Sequence, residues 1–464
     1  MTFGGLMNIA RSGLTASQAQ LTTTSQNITN AQTPGYSRQR VEVQAGWPQQ
    51  LPQGTFGTGV LVNGVERMRN ELIDSGYRRD AQNASLTEER RDALQAIENV
   101  LGEPSATGLA SSFEQFWSAW SDLSTNPDSS AARGVVRQRG AQVSAQLNQF
   151  GNQIVEQQTV ARTRLLETAE RVNTLSAQVA DINARIVAAE AAGNQAPDMR
   201  DQRDTKIDEL ASLVGATAYP QADGSVNVNI GGDSLVDGAN FKIVRVQALV
   251  SNPSRLGIAL GPLPSTGPTE TMYQLGGQMA GTVDAYNTIF PDALATLDGV
   301  ASALVTATNA AHRTGYIGTT PAGDFFDASR STARTIQLDS TILANLSNVA
   351  ASGISGESGD NGVAVRLSRL RDTPVLVNGQ TVSINEGYRN VVATIATSTN
   401  GANGTATAAR TLATQSDTRR ESVKGVSIDE EMINLMKYQQ SYAAAARLIS
   451  VVDELSQTLI NLGR

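Results

Sequence analysis

Cysteine is absent from the 464 residues, which removes disulfides, thiolate zinc sites and cysteine nucleophiles in one step. Histidine occurs once, at His312, so neither an H-E-x-x-H helix nor any multi-histidine metal site can form. A Ser-His-Asp triad would depend on that one residue, and no G-x-S-x-G elbow accompanies it. His312 is expected instead to close a helix end by bonding a terminal carbonyl. Lysine stands only at Lys206, Lys242, Lys424 and Lys437, never after a glycine, so no Walker A phosphate loop exists. Aromatic residues are 5% of the chain. No run of about 18 apolar residues occurs, so no membrane insertion is expected. The N-terminus lacks a basic segment leading into an apolar stretch, so no cleavable secretory signal is expected. The net charge is -8 with no concentrated basic patch, which argues against nucleic-acid binding. No cofactor is implied, and the reading is of a chain that is not an enzyme.

What remains is helical patterning. Hydrophobic residues make up 40% of the chain, enough for sizeable cores in about two to four domains. From Met1 to Gln32 the only charged side chain is Arg11. Met7, Leu14, Leu21 and Ile28 recur every seven residues, with Ala10, Ser17 and Thr24 between them. That is a heptad seam, and its opposite face is Ser, Thr, Gln and Asn. Pro34 disfavours helix at Thr33, so the helix should stop there. Pro34 and Gly35 suit the two central positions of a type II turn. Val41 and Val43 then alternate as in a short strand.

The far end mirrors the start. Ser427-Ile428-Asp429-Glu430 reads as a capping box, with three acidic residues in the first turn favouring the helix dipole. Met432, Leu435, Tyr442, Ile449 and Val452 mark one apolar seam, and Leu448, Leu455 and Leu462 mark a second beside it. Two adjacent seams let one helix pack against two neighbours, and neither terminal helix should be stable alone.

Further helical patterns run from Val65 to about Val100 and from Ala131 to about Ala192, the latter with Leu165, Val172, Val179 and Ile186 seven apart. Phe113, Phe116, Trp117 and Trp120 form an aromatic stripe on a short helix, expected in a bundle core. Residues 215–272 shift to strand alternation at Val226, Val228 and Ile230, punctuated by Asp223-Gly224 and by Pro253, Pro262, Pro264 and Pro268. Helix resumes from about Gly281 to Ala311. Residues 327–382 read as a mixed, Gly-rich, partly β excursion. A last internal helix fits Asn385 to Arg420, broken around Asn400 to Thr407. The acidic run Gly353 to Gly362 does not match an EF-hand and is expected to be a surface loop. Paired carboxylates such as Glu88-Glu89 are expected to be solvated or capping groups.

The residues at both ends carry a resemblance. Asn30-Ala31-Gln32-Thr33-Pro34-Gly35-Tyr36 resembles the N-terminal motif of bacterial flagellar axial proteins, the rod, hook and hook-associated proteins. Ser37-Arg38-Gln39-Arg40-Val41 resembles more narrowly the FlgK family of hook-associated proteins. The closing stretch from Gly425 onward is similar to that family's last helix. So are "FWSAWSDLSTNPDSSAARGVV" and the block from Asn309 through His312 and Gly315 to Phe325-Phe326. The resemblance is weakest over 215–272 and 327–382.

That family implies a mainly α, discontinuous multidomain fold with a β-rich insert. Residues 1–62 with 421–464 would form a terminal axial coiled coil. Residues 63–214 with 273–326 and 383–420 would form a long-helix bundle, 215–272 a small outer β domain, and 327–382 the mixed excursion. The resemblance implies a structural adapter joining hook to filament, assembled as a ring in the extracellular axial tube. Its implied partners are hook protein, the next hook-associated junction protein, copies of itself, an export chaperone and the type III export gate, with a transient cytoplasmic stage. Met7, Leu14, Leu21, Ile28, Leu435, Tyr442, Ile449 and Val452 are the expected axial interface. Asn30, Thr33, Pro34, Gly35, Tyr36, Ser37, Arg38 and Gln39 form the motif turn. Leu448, Leu455 and Leu462 are the expected chaperone face. The rival readings are another axial component, such as hook or distal rod protein, and an enzyme or adhesin domain carried on an axial scaffold. A hook protein would devote its middle mostly to β-structure, and neither weak segment holds a constellation of titratable residues.

Overall fold

The structure is a computed structural model that describes residues 3–51, 54–193, 195–261 and 275–462. Two terminal helices, α1 (Phe3–Asn30) and α11 (Ile428–Leu462), fold back on each other. They run antiparallel: Gly13 faces Ala445 near the free end, and Asn27 bonds Glu431 near the base. The buried line on α1 is Ala10, Ala16, Ser17, Thr23, Thr24 and Asn27, mostly small or hydrogen-bonding side chains that allow close approach. The apolar heptad Met7, Leu14, Leu21 and Ile28 is only half-buried beside it. The small members of the expected seam, Ala10, Ser17 and Thr24, thus make the intrachain contact, and its larger apolar members lie along the edge of it.

After the turn, β1 (Gln39–Ala45) and β4 (Val60–Arg67) pair antiparallel, with β2 (Gln49–Leu51) and β3 (Gly54–Phe56) forming the tip of the ribbon. The helix expected from Val65 begins only at Glu71. Arg67 still belongs to β4, and the Asn70 side chain caps α2 (Glu71–Leu101) by accepting from Leu72 N–H and Ile73 N–H. Then come α3 (Leu109–Thr125), α4 (Ser130–Ala191) and α5 (Pro197–Val214). At 62 residues, α4 is about 93 Å long by the rise of an α-helix, and it threads two cores.

The first core takes the aromatic stripe. Phe113, Phe116, Trp117 and Trp120 are buried against Val143 and Leu147 of α4 and against Phe325 and Phe326. Trp117 Nε1 donates to Asn385 Oδ1 at 3.0 Å. The second core joins Leu165, Val172 and Val179 of α4 and Ile207, Leu210 and Val214 of α5 to the β-rich insert. That insert holds a four-stranded antiparallel sheet, β5 (Thr217–Pro220), β6 (Val226–Ile230), β7 (Asp233–Asp237) and β8 (Asn240–Phe241), and a hairpin, β9 (Ile243–Ala248) with β10 (Leu256–Gly261). It shares its core with the helices. Pro262, Pro264 and Pro268 lie outside the described residues.

Helices α6 (Gly277–Asp284) and α7 (Phe290–His312) form one rod with a π-turn at Ala285–Ile289. Pro291 supplies no amide hydrogen to the helix, and Phe290 N–H donates five residues back to Ala285 O. The extra residue aims Asn287 at β10, where it bonds both Leu256 N–H and Leu256 O at 2.8 Å.

After α7 comes a short hairpin, β11 (Tyr316–Ile317) with β12 (Thr320–Pro321), and the mixed excursion then contains α8 (Ser340–Ala344), α9 (Gly362–Arg369), β13 (Val375–Val377) and β14 (Gln380–Val382). His312 does not cap a helix carbonyl as expected. It is buried, its Nδ1 lies 2.7 Å from Gly323 O, and its Nε2 accepts from Ala350 N–H at 3.0 Å. These partners require the proton on Nδ1. The Gly353–Gly362 run is held by Asp360, which accepts from Gly353 N–H at 2.6 Å and Gly362 N–H at 3.2 Å.

Helix α10 (Ile384–Lys424) returns along α2, and it is not broken at Asn400 to Thr407. Thr399, Ala406 and Ala409 are buried in this stretch, while Gly401 and Gly404 face open space. Packing of the small inner face outweighs the poor propensity of the two glycines, about 1 kcal/mol each. Elements β4 and α10 run through the expected boundaries at 62/63 and 420/421. The axial part and the bundle therefore share elements there.

Candidate functional site

The motif turn sits where α1, α5 and α11 meet. Tyr36 N–H donates to Thr33 O at 3.2 Å, closing a four-residue turn around Pro34 and Gly35. Gly35 has φ +83°, the value a type II turn needs at its third residue. Thr33 Oγ1 donates to Asn30 Oδ1 at 3.2 Å and Thr33 N–H to Asn30 O at 2.9 Å, which finish the helix.

Asn27 is the centre of the turn's polar core and is 1% exposed. Its Oδ1 accepts from Tyr36 OH at 2.8 Å and from Gln39 N–H at 2.9 Å. Its Nδ2 donates to Gln39 O at 2.8 Å and to Glu431 Oε2 at 3.0 Å. Every capacity of the amide is used, as a buried polar group requires. Burial, with Asp198, Asp201 and Glu431 nearby, pushes the Tyr36 phenol far up, so it stays a donor.

The next three residues reach in two directions. Ser37 gives both its N–H (2.8 Å) and its hydroxyl (2.7 Å) to the Asp201 carboxylate of α5. Gln39 Nε2 donates to Asp198 Oδ1 at 2.8 Å. Arg38 points the other way, with Nε 2.8 Å from Glu431 Oε1 and Nη1 2.9 Å from Glu430 Oε2. The capping box is therefore only half made. Ser427 Oγ accepts from Glu430 N–H at 3.5 Å, but the Glu430 carboxylate is turned to Arg38.

Behind Asp201 lies a charge cluster that sequence reasoning missed. Arg67 Nη1 bonds both Asp201 and Asp204 at 2.8 Å, and Arg69 bonds Asp204 at 2.9 Å and Asp74 at 3.0 Å. Arg78 and Arg420 share Asp208, and the Arg420 guanidinium lies 3.7 Å over the Tyr77 ring. Burial raises the Asp204 carboxyl, but Arg69, Arg67, Arg78 and Arg203 overcome that and hold it below its ordinary 3.8. Arg203, buried against Asn183 Oδ1 and Gly224 O, is lowered by burial to about 10. The signal was present in the sequence. Asp198, Asp201, Asp204 and Asp208 recur at intervals of three and four on one helix.

The other expected residues divide. Leu435 and Ile449 are half-buried, Val452 is buried, and Tyr442 is 38% exposed. Leu448, Leu455 and Leu462 lie on the outer side of α11 at 52%, 47% and 78% exposure, together with Val451, Leu459 and Ile460. Among the described residues no group of three or more His, Asp or Glu side chains could hold a metal ion.

A pair of terminal helices joined through a Pro-Gly turn to a long-helix scaffold defines a structural protein of the flagellar axial class. Models of the flagella basal body rod protein and of the flagellar basal body rod FlgEFG protein C-terminal match residues 7–36 and 422–462. The middle narrows the class, since a model of the flagellar hook-associated protein FlgK helical domain matches residues 94–326. Flagellar hook-associated protein 1 of Bacillus subtilis is 31% identical over 99% of this chain and 98% of its own. Its counterpart in Salmonella typhimurium is 24% identical over 98% and 99%. The flagellar hook junction protein FlgK from Burkholderia pseudomallei shares the fold, with a TM-score of 0.67 at 16% identity, covering 75% of this chain and 100% of that one. The chain belongs to the family of flagellar hook-associated protein 1, FlgK, and is a structural part of the hook–filament junction of the bacterial flagellum, outside the cell. The hook and rod alternatives are not favoured.

Proposed function

We propose that this chain joins hook to filament as a wall element of the axial tube. In this reading the α1–α11 pair stacks with copies of itself, and the bundle and β-rich insert lie outside. The observation that carries it is the outer side of α11. Leu448, Val451, Leu455 and Leu459 are all about half exposed beside a helix whose one charged residue is Arg11. Burying a leucine contributes about 1.5–3 kcal/mol, so three or four per copy are sufficient to drive docking. Unpaired charge on α1 would oppose it, because an uncompensated buried charge costs several kcal/mol. Copies joined by unlike surfaces grow as a ring or helix, with hook protein at one end and the next hook-associated junction protein at the other.

Before assembly the chain passes from the cytoplasm through the type III export gate, and an export chaperone covers Leu448, Leu455 and Leu462. Residues 1–62 with 421–464 act as the axial part and the remainder as the outer body. The Leu448→Asp chain should fold, because the residue is exposed, but fail to enter the junction. Electron micrographs would then show hooks without filaments and flagellin in the medium. Normal filaments on that strain defeat the tube-wall reading. For the chaperone, Leu455→Asp should weaken binding of the purified pair, and unchanged binding with lost assembly moves the chaperone to another face.

A further inference from the structure

Ser37 and Gln39 are buried, at 0% and 4% exposure, so the tube-wall contacts leave them no part. Their side chains bond Asp201 and Asp198 of the same chain. In extended backbone, successive side chains point to opposite sides. Ser37 and Gln39 therefore meet α5 at Asp201 and Asp198, while Arg38 between them meets α11 at Glu431 and Glu430. Backbone bonds close the same place: Arg38 N–H donates to Lys424 O, and Met68 N–H to Arg38 O, both at 2.8 Å. Helix α5 is in turn anchored to α4 through the second core and through Arg203. A three-residue segment thus touches the terminal helix pair on one side and the rigid body of the bundle on the other.

We infer that Ser37, Arg38 and Gln39 are positioning residues that lock the angle between the terminal helix pair and the bundle within a single chain. They are the residues by which the family resemblance narrows from axial proteins in general, and they work in cis on α5 rather than on a neighbouring copy. The bonds to the carboxylates are all charge-assisted, and the two from Ser37 to Asp201 are buried, so salt screens those little. Bending at the junction is then taken up between chains, since the joint inside each chain is held from both sides. The inference concerns one chain in solution and stands or falls separately from the tube-wall reading.

Because the chain has no cysteine, two introduced ones are the only labelling sites. Thr163→Cys on α4 and Gln440→Cys on α11, both exposed, place spin labels on either side of the joint. Pulsed electron–electron resonance on the full-length chain should give one narrow distance distribution. Ser37→Ala with Gln39→Ala should make it about twofold broader, as unlocked domains move freely, while the thermal midpoint of the bundle stays in place. Glu209→Gln on α5, which breaks an exposed pair with Arg171 of α4, should leave the distribution unchanged. A double variant as narrow as the parent overturns the inference, and so does a parent already as broad as the variant. If the double variant does not fold, Ser37→Ala alone serves, since Asp201 keeps the Ser37 N–H. The same two outcomes then decide.

Discussion

Replacing His312 by leucine should cost stability in a way that depends on pH, and the sign is set by the geometry. The imidazole is 0% exposed and packs edge-on to Trp120 (6.2 Å) and Phe325 (5.7 Å). Its Nδ1–H donates to Gly323 O and its Nε2 accepts from Ala350 N–H. Leucine leaves the Ala350 N–H buried without a partner, at about 1–3 kcal/mol, while the carbonyl of exposed Gly323 can turn to water, so the variant should lose about 1–3 kcal/mol near pH 8. Burial pushes the imidazole below its ordinary 6.5, against the Gly323 bond and the carboxylates of Asp324 and Asp339, which raise it. The unfolded chain therefore takes up the proton first. The histidine's contribution is complete above pH 6.5 and falls away as pH drops through 6.5 toward the folded value. The slope is at most about 1.4 kcal/mol per pH unit. Urea unfolding followed by tryptophan fluorescence reads this directly, since Trp117 and Trp120 share the core. Carboxylates common to both chains cancel in the difference. The gap between wild type and His312→Leu should shrink as pH falls from about 7 through 6.5. A gap that is flat, or that widens toward acid, refutes a buried neutral imidazole.

Gly35→Ala should destabilise the turn by about 1–3 kcal/mol from its positive φ alone, plus the collision of the new methyl with Thr205 Oγ1. Adding Thr205→Ala should recover only the second part, and full recovery would remove the φ argument. Gly404→Ala should stabilise the chain by about 0.5–1 kcal/mol, because its methyl would meet nothing within 4 Å inside an unbroken α10. A lowered melting temperature would show that the helix is interrupted there. A Gly13→Cys, Ala445→Cys chain should form an intrachain disulfide on oxidation, because the two Cβ positions are 3.8 Å apart, within the usual range of about 3.5–4.5 Å. Trapping between two singly substituted chains in preference to the double one would mean that α1 and α11 pair between copies.

The sequence by itself determined the long helices, the aromatic core stripe, the stop at Thr33 and the turn at Pro34-Gly35. These follow from local rules: a period of 3.6 or 3.5, a missing amide hydrogen, and a residue that tolerates positive φ. It also carried the family, through residues at both ends and in the middle. It misjudged α10, because glycine propensity is a local term and the contact with α2 is not. It misjudged His312, whose partners at Gly323 and Ala350 lie 11 and 38 residues away. Only the tertiary structure decided what Asn27, Ser37, Gln39 and the aspartates of α5 do. Asp201 is 164 residues from Ser37, and Glu431 is 404 from Asn27. A buried carboxylate is tolerable only when its partners are in place, and no spacing along the chain announces partners that folding brings from such distances.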